Sequence, residues 1–285
     1  MSITEAGVVD GMTDAEYHAD PVEGGSFSST GAKTILKSPA LFQYRLTHRV
    51  EKAAYDLGHA AHSKILGVGL DVVAYPDEHL TPSGNVSTKA ATVAWAAEQR
   101  AFGLAPVTPE QLADVEAMAE AVLAHPVARA LLEKPGAPEQ SVFAQDPQTG
   151  VFLRTRIDRL PERDGNLTVL VDVKTAQSAD PDEFRSSAAS YGYDVQSEMY
   201  QHAVRLARGD EYTAFRFVVV EKSAPFLVSV VELDAEFAAI GRSRMRRAID
   251  TYHDCVTSGR WPGYEAVVHY IDAPRWLAYD EGMVL

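Results

Sequence analysis

From residue 151 to residue 175 apolar and polar positions alternate with a period of two on both sides of a turn-forming tetrapeptide, Arg163-Asp164-Gly165-Asn166. That pattern predicts an antiparallel hairpin. Val151, Leu153 and Ile157 share one face of its first strand, leaving Arg154, Arg156 and Asp158 on the other. On the second strand Leu167, Val169, Val171 and Val173 face one way, and Asp172 and Lys174 the opposite way. Asp158 stands as far before Gly165 as Asp172 stands after it, which makes the two aspartates cross-strand neighbours. Like charges so placed destabilise a sheet, so the pair predicts a cation held between them.

The pattern is mainly helical before this hairpin and mixed after it. Residues 1–27 are polar and weakly periodic and read as a partly ordered arm with Tyr17 as an anchor. Ser28-Ser29-Thr30 caps a short helix carrying Ile35 and Leu36, and Pro39 breaks it before another around Leu41 to Leu46. Between Ala53 and Leu66, Leu57, Ala61 and Ile65 recur at helical spacing and place Gly58 and His62 on a neighbouring face. Residues 70–86 read as a surface loop, and a helix follows from about Thr88 to Phe102. Thr108-Pro109-Glu110-Gln111 is a capping box opening a helix with Leu112, Val115, Ala119 and Val122 inward. Ser141 to Ala144, Tyr212 to Glu221 and Phe226 to Leu233 read as strands, and Asp194 to Arg208 as a helix with Gln196 and Tyr200 one turn apart. Asp234 caps a last helix with the stripe Phe237, Ile240, Met245, Ile249, Tyr252 and Val256, ending at Gly259. The order predicts a mixed α/β core with a helical N-terminal extension.

Composition narrows the function classes. The chain has 285 residues, 46% of them hydrophobic, enough for one large domain. A net charge of −14 argues against indiscriminate binding to nucleic acid or anionic membranes, so a nucleic-acid enzyme of this charge must concentrate its basic groups locally. Cys255 is the only cysteine, which excludes an intramolecular disulfide framework, a cysteine-built zinc site and a four-cysteine cluster, and points to a reducing, cytoplasmic setting. No apolar run approaches the ~18 residues of a membrane span.

Lys174 beside two carboxylates turns the cation site into a candidate for phosphodiester hydrolysis. That reaction needs a deprotonated water and neutralisation of the charge developing on phosphorus oxygens, and a divalent ion held by carboxylates supplies both, with a lysine to assist. Hard oxygen ligands favour Mg²⁺, with Mn²⁺ as a substitute.

Asp158, then Asp172-Val173-Lys174, then Gln196 and Tyr200 resembles the PD-(D/E)xK nuclease superfamily. Gly58-His59-Ala60-Ala61-His62 is similar to the G-x-x-x-H helix of its RecB-like branch. Ser28-Ser29, Lys37-Ser38-Pro39, Glu139-Gln140-Ser141 and Trp261-Pro262-Gly263-Tyr264 extend the likeness to the RecE, or exonuclease VIII-type, phage exonucleases over roughly residues 26–265. Ile157 replaces the proline of the superfamily's name, and Asp172 stands where glutamate is usual.

The resemblance implies a restriction-endonuclease-like mixed sheet flanked by helices, as a single domain over 28–285 with a helical half at 28–134 and a catalytic core at 139–265. It implies metal binding by His62, Asp158, Asp172 and the Val173 carbonyl, with Glu139 a further candidate. Lys174 would be the catalytic lysine with Asp158 and Asp172, and Gln196 and Tyr200 would support them. Arg154 and Arg156 share the strand face of Asp158 and are candidates to meet phosphates. The implied activity is 5′ to 3′ degradation of linear double-stranded DNA, leaving 3′ single strands for an annealing recombinase, by a ring-shaped homo-oligomer, a tetramer. A restriction-like or structure-selective endonuclease, or a non-catalytic DNA-binding protein on the same fold, are the rival readings. The Arg242–Arg247 run reads first as a solvated, ion-paired face, His59 and Cys255 as structural, and Trp95 and Trp276 carry no assignable role.

Overall fold

The computed structural model describes residues 2–48, 57–69 and 71–273. Its N-terminal segment forms β1 (Gly7–Val9), α1 (Asp14–His18) and β2 (Phe27–Ser28), followed by α2 (Ser29–Ile35), α3 (Pro39–Thr47) and α4 (Leu57–Leu66). Next come β3 (Asp71–Ala74), α5 (Ala90–Ala101), β4 (Leu104–Val107), α6 (Pro109–Ala124) and α7 (Pro126–Leu132). The second half holds β5 (Gly136–Gln145), β6 (Phe152–Pro161), β7 (Leu167–Ala176), α8 (Pro181–Tyr191), α9 (Tyr193–Arg208), β8 (Tyr212–Glu221), β9 (Val228–Glu232) and α10 (Ala235–Ser258).

Among the described residues one sheet runs in the order β1-β5-β6-β7-β8-β9, with β2 added beside β6. β7 and β8 run parallel in unbroken register from Leu167↔Tyr212 to Ala176↔Glu221, joined by the helical crossover α8–α9. A parallel strand covered on both faces reads as a near-continuous apolar run, and β7 does. Leu170, with Phe215, Phe217 and Val219 of β8, packs beneath Tyr200, Ala203 and Val204 of α9. Val171 and Val173, with Val218 and Val220, pack on the opposite side against α4, α6 and α7. Asp172 and Lys174 therefore interrupt a strand that is otherwise core, on its α9 side. A third cluster joins Phe27, Ala32, Ile35 and Phe42 to Leu153, Met199 and Ile249, tying α2, α3 and α10 to the sheet.

Several expectations change against this structure. The N-terminal segment is part of the fold: β1 pairs antiparallel with β5, and Ile3, Met12, Tyr17 and Val22 bury themselves against Phe143. Its elements are too short to show a period, and their partners lie more than 100 residues away. The loop expected over 70–86 contains β3, which pairs in parallel with β4 to form a separate small sheet. Beside it Trp95 lies 5.0 Å from the Tyr75 ring and 5.2 Å from His79, while Trp276 lies outside the described residues. The helix expected from Ala53 is described from Leu57; residues 53–56 and the His59 side chain lie outside the described set. Ser141–Ala144 is the buried centre of a longer strand, so Glu139 sits inside β5 and not at its entrance. On α10, Ile240 and Val256 are exposed, and the small residues Gly241 and Ala248 take the buried positions.

Gly136 starts β5 at φ +153°, and a Cβ there would stand 2.5 Å from Pro161 Cα and closer still to the Leu160 carbonyl oxygen. Both obstacles are backbone of the paired strand and cannot rotate away. Gly136→Ala is expected to cost about 3 kcal/mol through forced separation of β5 and β6, read as a lowered denaturant midpoint with an unchanged slope.

Candidate active site

Three elements converge at one end of β7. On α4, Ala60 and Ala61 are fully buried, and their small side chains let the helix lie close to α6 and β7. His62 follows them and projects over the sheet, its Nε2 at 2.8 Å from Asp158 Oδ2 and its Nδ1 at 3.4 Å from Glu139 Oε1. Glu139 is reached from β5 by an unusual backbone, φ +51°. A non-glycine residue in that region costs roughly 1–3 kcal/mol and persists where the surroundings hold it. Here Glu139 Oε2 is held at 2.5 Å by Arg156 Nε.

Asp158 and Asp172 lie on the register line set by Arg159↔Val171, which among the described residues is the one bridge between β6 and β7. The strands part beyond it, and Asp158 Oδ2 accepts a 2.7 Å hydrogen bond from the Val173 backbone N–H in place of a ladder bond. The burial alternation of β6 slips by one residue here: Leu153, Thr155 and Ile157 are buried, and then Asp158 and Leu160. The strict two-residue alternation expected along this strand therefore ends at the aspartate.

Asp172 is 2% exposed and both of its oxygens are engaged, Oδ2 by Lys174 Nζ at 2.5 Å and Oδ1 by the Gln196 side-chain amide at 2.6 Å. Tyr200, one turn along α9, is buried beside Phe215 and hydrogen-bonds Ser29. The groups able to bind a cation most directly are thus His62, Glu139 and Asp158, whose ligand atoms all lie within 4.8 Å of one another. Asp172 stands next to them but is occupied by its lysine and glutamine. The Val173 residue lines the same cavity, and its amide orients Asp158.

The electrostatics follow from burial of several charges together. For His62, burial opposes the imidazolium, but the Asp158 carboxylate, the hydrogen bond to it and Glu139 outweigh burial and raise it to about 9. Burial also opposes ionisation of Asp158, yet His62, Lys174 and the Val173 amide bring it below the ordinary carboxylate range. Asp172 goes the other way, pushed up to about 6 by burial and by Asp158, with Lys174 offsetting only part. Glu139 is raised by burial and by Asp158. Burial disfavours the Lys174 ammonium, and the Asp172 and Asp158 carboxylates more than compensate, so it is raised. Two carboxylates whose environments push them apart are the usual sign of a functional site. A protonated His62 between Asp158 and Glu139 supplies positive charge in the place where a hard cation would be held.

The cavity around these groups has a volume of about 1530 Å³ and is walled by α2, α4, β6, β7 and the α1 segment. Arg154 and Arg156 line it but are both engaged. Arg154 Nη1 donates to the Tyr17 carbonyl at 2.7 Å and lies 3.3 Å from Asp20, and Arg156 meets Glu139, the Met12 carbonyl and Asp14. Both guanidinium groups sit over the Tyr17 ring, at 5.0 and 5.5 Å. Their observed work is to fix the N-terminal segment as a wall of the cavity. The Arg242–Arg247 helix face is ion-paired: Arg242 with Glu198, Arg244 with Asp194, and Arg246 with Asp146 and Asp250. Of the other motifs, Ser28 caps α2, Ser38 caps α3, and Trp261 stacks on Phe42 at 5.6 Å. One residue absent from the sequence reading stands close by. Lys33, on α2, lies 5.9 Å from the Tyr193 ring that Lys174 approaches at 5.0 Å, and burial, then Lys174, bring it down to about 8. Its only sequence signal was its place in the Ser28–Pro39 segment.

The family model of a PDDEXK-like domain of unknown function (DUF3799) matches residues 28–274, and the mixed α/β architecture with its helix-flanked central sheet is of that PD-(D/E)xK type. No curated protein matches the chain. Among solved structures, the "putative exonuclease" of Eubacterium rectale is 13% identical, with a TM-score of 0.56 over 96% of this chain and 99% of that one, a likeness of fold. A phage-related exonuclease from Haemophilus somnus is 14% identical, with a TM-score of 0.29 over 73% of this chain and 97% of that one.

Proposed function

The chain belongs to the PDDEXK-like domain family, and from that premise we propose that it is a metal-dependent exodeoxyribonuclease acting on the ends of linear double-stranded DNA. The observation that carries the reading is the convergence of His62, Glu139 and Asp158 beside the Asp172–Lys174 pair in one cavity. The two carboxylates suit Mg²⁺, and the imidazole beside them tilts the site toward Mn²⁺ as a substitute. Asp172 would be a further ligand if released from Lys174, and the Val173 carbonyl would be the backbone one. A bound divalent ion supplies a water of lowered pKa and neutralises charge on the phosphate oxygens.

This chain's own residues supply the rest. Protonated His62 donates through Nε2 to Asp158 Oδ2 across 2.8 Å, and loss of that proton would free both atoms to ligate a cation. Gln196 holds the Asp172 carboxylate in orientation, and Tyr200 ties α9 to Ser29 at the cavity wall. Lys174 keeps its charge at neutral pH and places an ammonium 2.5 Å from Asp172, in position to meet a phosphate oxygen as negative charge develops on it. Asp158, Asp172 and Lys174 are accordingly the catalytic set.

The finer reading rests on the resemblance to RecE-type exonucleases: 5′ to 3′ polarity, 3′ single strands passed to an annealing recombinase, and a homo-oligomeric ring, a tetramer, that gathers basic groups around DNA while its outer surface stays acidic. Residues 28–285 form the nuclease domain in this reading, and a lone, buried Cys255 suits the cytoplasm. No helix among the described residues is long and apolar enough to cross a membrane. The test is digestion of linear duplexes labelled at the 5′ or the 3′ end alongside covalently closed circles. Early release of 5′ label with circles intact is the expected result. Cutting of the circles would replace this reading with the endonuclease one, on the same catalytic residues.

A further inference from the structure

Lys33 is a half-buried lysine without an ion-pair partner of its own among the described residues. Among the described residues no carboxylate comes within ion-pair distance of its ammonium, whereas Lys174 is paired with Asp172 at 2.5 Å. Both lysines approach one aromatic face, Tyr193, at 5.9 and 5.0 Å. Tyr191, 64% exposed, has its ring 5.8 Å from that of Tyr193 and carries the aromatic surface outward.

The backbone makes room for this arrangement. Gly192, between the two tyrosines, has φ +66°, and a Cβ there would stand 2.9 Å from Lys33 Cδ and 3.0 Å from its Cγ. The α8–α9 junction is therefore a turn that admits the Lys33 stem. On its other side α2 lines the active cavity through Ser29, Thr30 and Thr34. A half-buried lysine with a shaped channel for its stem, an aromatic face beneath it and a second lysine beside it feels the Asp172 and Asp194 carboxylates without being ion-paired to either, and a phosphate would complete its charge. Like charges this close repel, so the pair fits a polyanion that meets both ammonium groups at once.

We propose that Lys33, with Tyr193 and Tyr191, forms a subsite for the nucleic-acid strand next to the scissile position, Lys33 taking the phosphate adjacent to the one that Lys174 meets. This rests on the nuclease reading above and extends it: the strand leaves the catalytic groups over the α8–α9 turn, with its backbone on Lys33 and a base against Tyr191. Contacts of this type are electrostatic and sequence-tolerant.

The test is binding of a short blunt duplex with a 5′ phosphate to the full chain in Ca²⁺, across a salt series, for wild type, Lys33→Met and Lys33→Arg. Methionine keeps an unbranched stem against Gly192 and removes only the charge. One lost phosphate contact reduces the slope of log K against log salt by about 0.9 and weakens binding several-fold at low salt. Lys33→Met is expected to show both changes, with KM rising more than kcat falls in Mg²⁺, and Lys33→Arg to restore the slope. An unchanged slope in a folded Lys33→Met protein overturns the subsite and leaves the nuclease reading intact. Absence of any Mg²⁺-dependent cleavage by wild type removes the nuclease reading, and the subsite with it.

Discussion

Lys174→Ala is expected to lower kcat for duplex hydrolysis by about 10²–10³-fold, equivalent to about 2.7–4 kcal/mol of barrier, while DNA binding changes only a few-fold. The asymmetry follows from where the ammonium sits. In the resting site it neutralises Asp172, a carboxylate that burial and Asp158 already push up to about 6. During the reaction the same charge becomes available to an oxygen that gains negative charge only as the phosphorus–oxygen bond breaks. An interaction strengthened only in the transition state appears in kcat and not in KM. Lys174→Arg keeps the charge but replaces a compact ammonium with a planar fork in a site that already holds Gln196, Tyr193 and Asp172, so it is expected to recover little activity. Single-turnover rates at saturating enzyme, with circular dichroism to check folding, measure both variants. A Lys174→Ala protein within tenfold of wild type would remove the lysine from the mechanism.

The largest expected effect on stability lies away from this chemistry, at Asp146. Its side chain is buried where β5 ends and accepts from Arg246 at 2.7 Å, His202 at 3.3 Å, and the Thr149 amide and hydroxyl at 3.0 and 2.7 Å. One carboxylate thus ties together β5, the turn into β6, α9 and α10. Breaking a buried pair from one side leaves the other charge stranded, which costs about 3–5 kcal/mol, reduced here because Arg246 keeps Asp250 and partial exposure. Asp146→Ala is expected to lower Tm by on the order of 10 °C. The pH dependence has a definite sign. Burial raises the Asp146 carboxyl, but the Arg246 and Thr149 hydrogen bonds outweigh it and hold it well below the usual carboxylate range in the folded protein. A depressed folded pKa contributes stability that is present above the unfolded value of about 3.9 and is lost as pH falls below it. The stability gap between wild type and Asp146→Asn should therefore be widest above about pH 5, begin to narrow below about pH 4, and be lost only as pH falls through the depressed folded value. Urea titrations at several pH values measure it, and a gap independent of pH would contradict the assignment.

How far the site was legible depended on range. β6 as far as Ile157 follows local alternation, β7 and β8 stand out as largely apolar runs, and Gly165 adopts the positive φ of +69° that its turn requires. Gln196 faces Asp172 because α9 lays that position onto the sheet. The capping box at Thr108 forms with both of its hydrogen bonds. Other features arise from long-range pairing that no local pattern encodes. Glu139 reaches His62 only because β5 adopts a positive φ there, opposite the point where β6 and β7 part. Arg154 and Arg156 share the cavity with Asp158 as the alternation suggests, yet Tyr17, Met12, Asp14 and Asp20, from a segment with no visible period, occupy them. Lys33 gains its meaning from Gly192 and Tyr193, about 160 residues later in the chain. By contrast α8 carries a local signal: Asp180-Pro181 is an N-cap followed by proline at the first helical position, and Asp180 caps the helix through the Asp182 and Glu183 amides.

His62, Glu139, Asp158 and Asp172 are proposed to hold a divalent ion for hydrolysis of duplex DNA. Release of 5′ end label from a linear duplex, measured for wild type and Asp158→Asn with Mg²⁺ and again with excess chelator, tests it most directly. Wild type is expected to release label rapidly in Mg²⁺ and not at all in chelator, and Asp158→Asn to release none above background in either. Equal release by wild type with and without chelator, or full activity of Asp158→Asn in Mg²⁺, would contradict it.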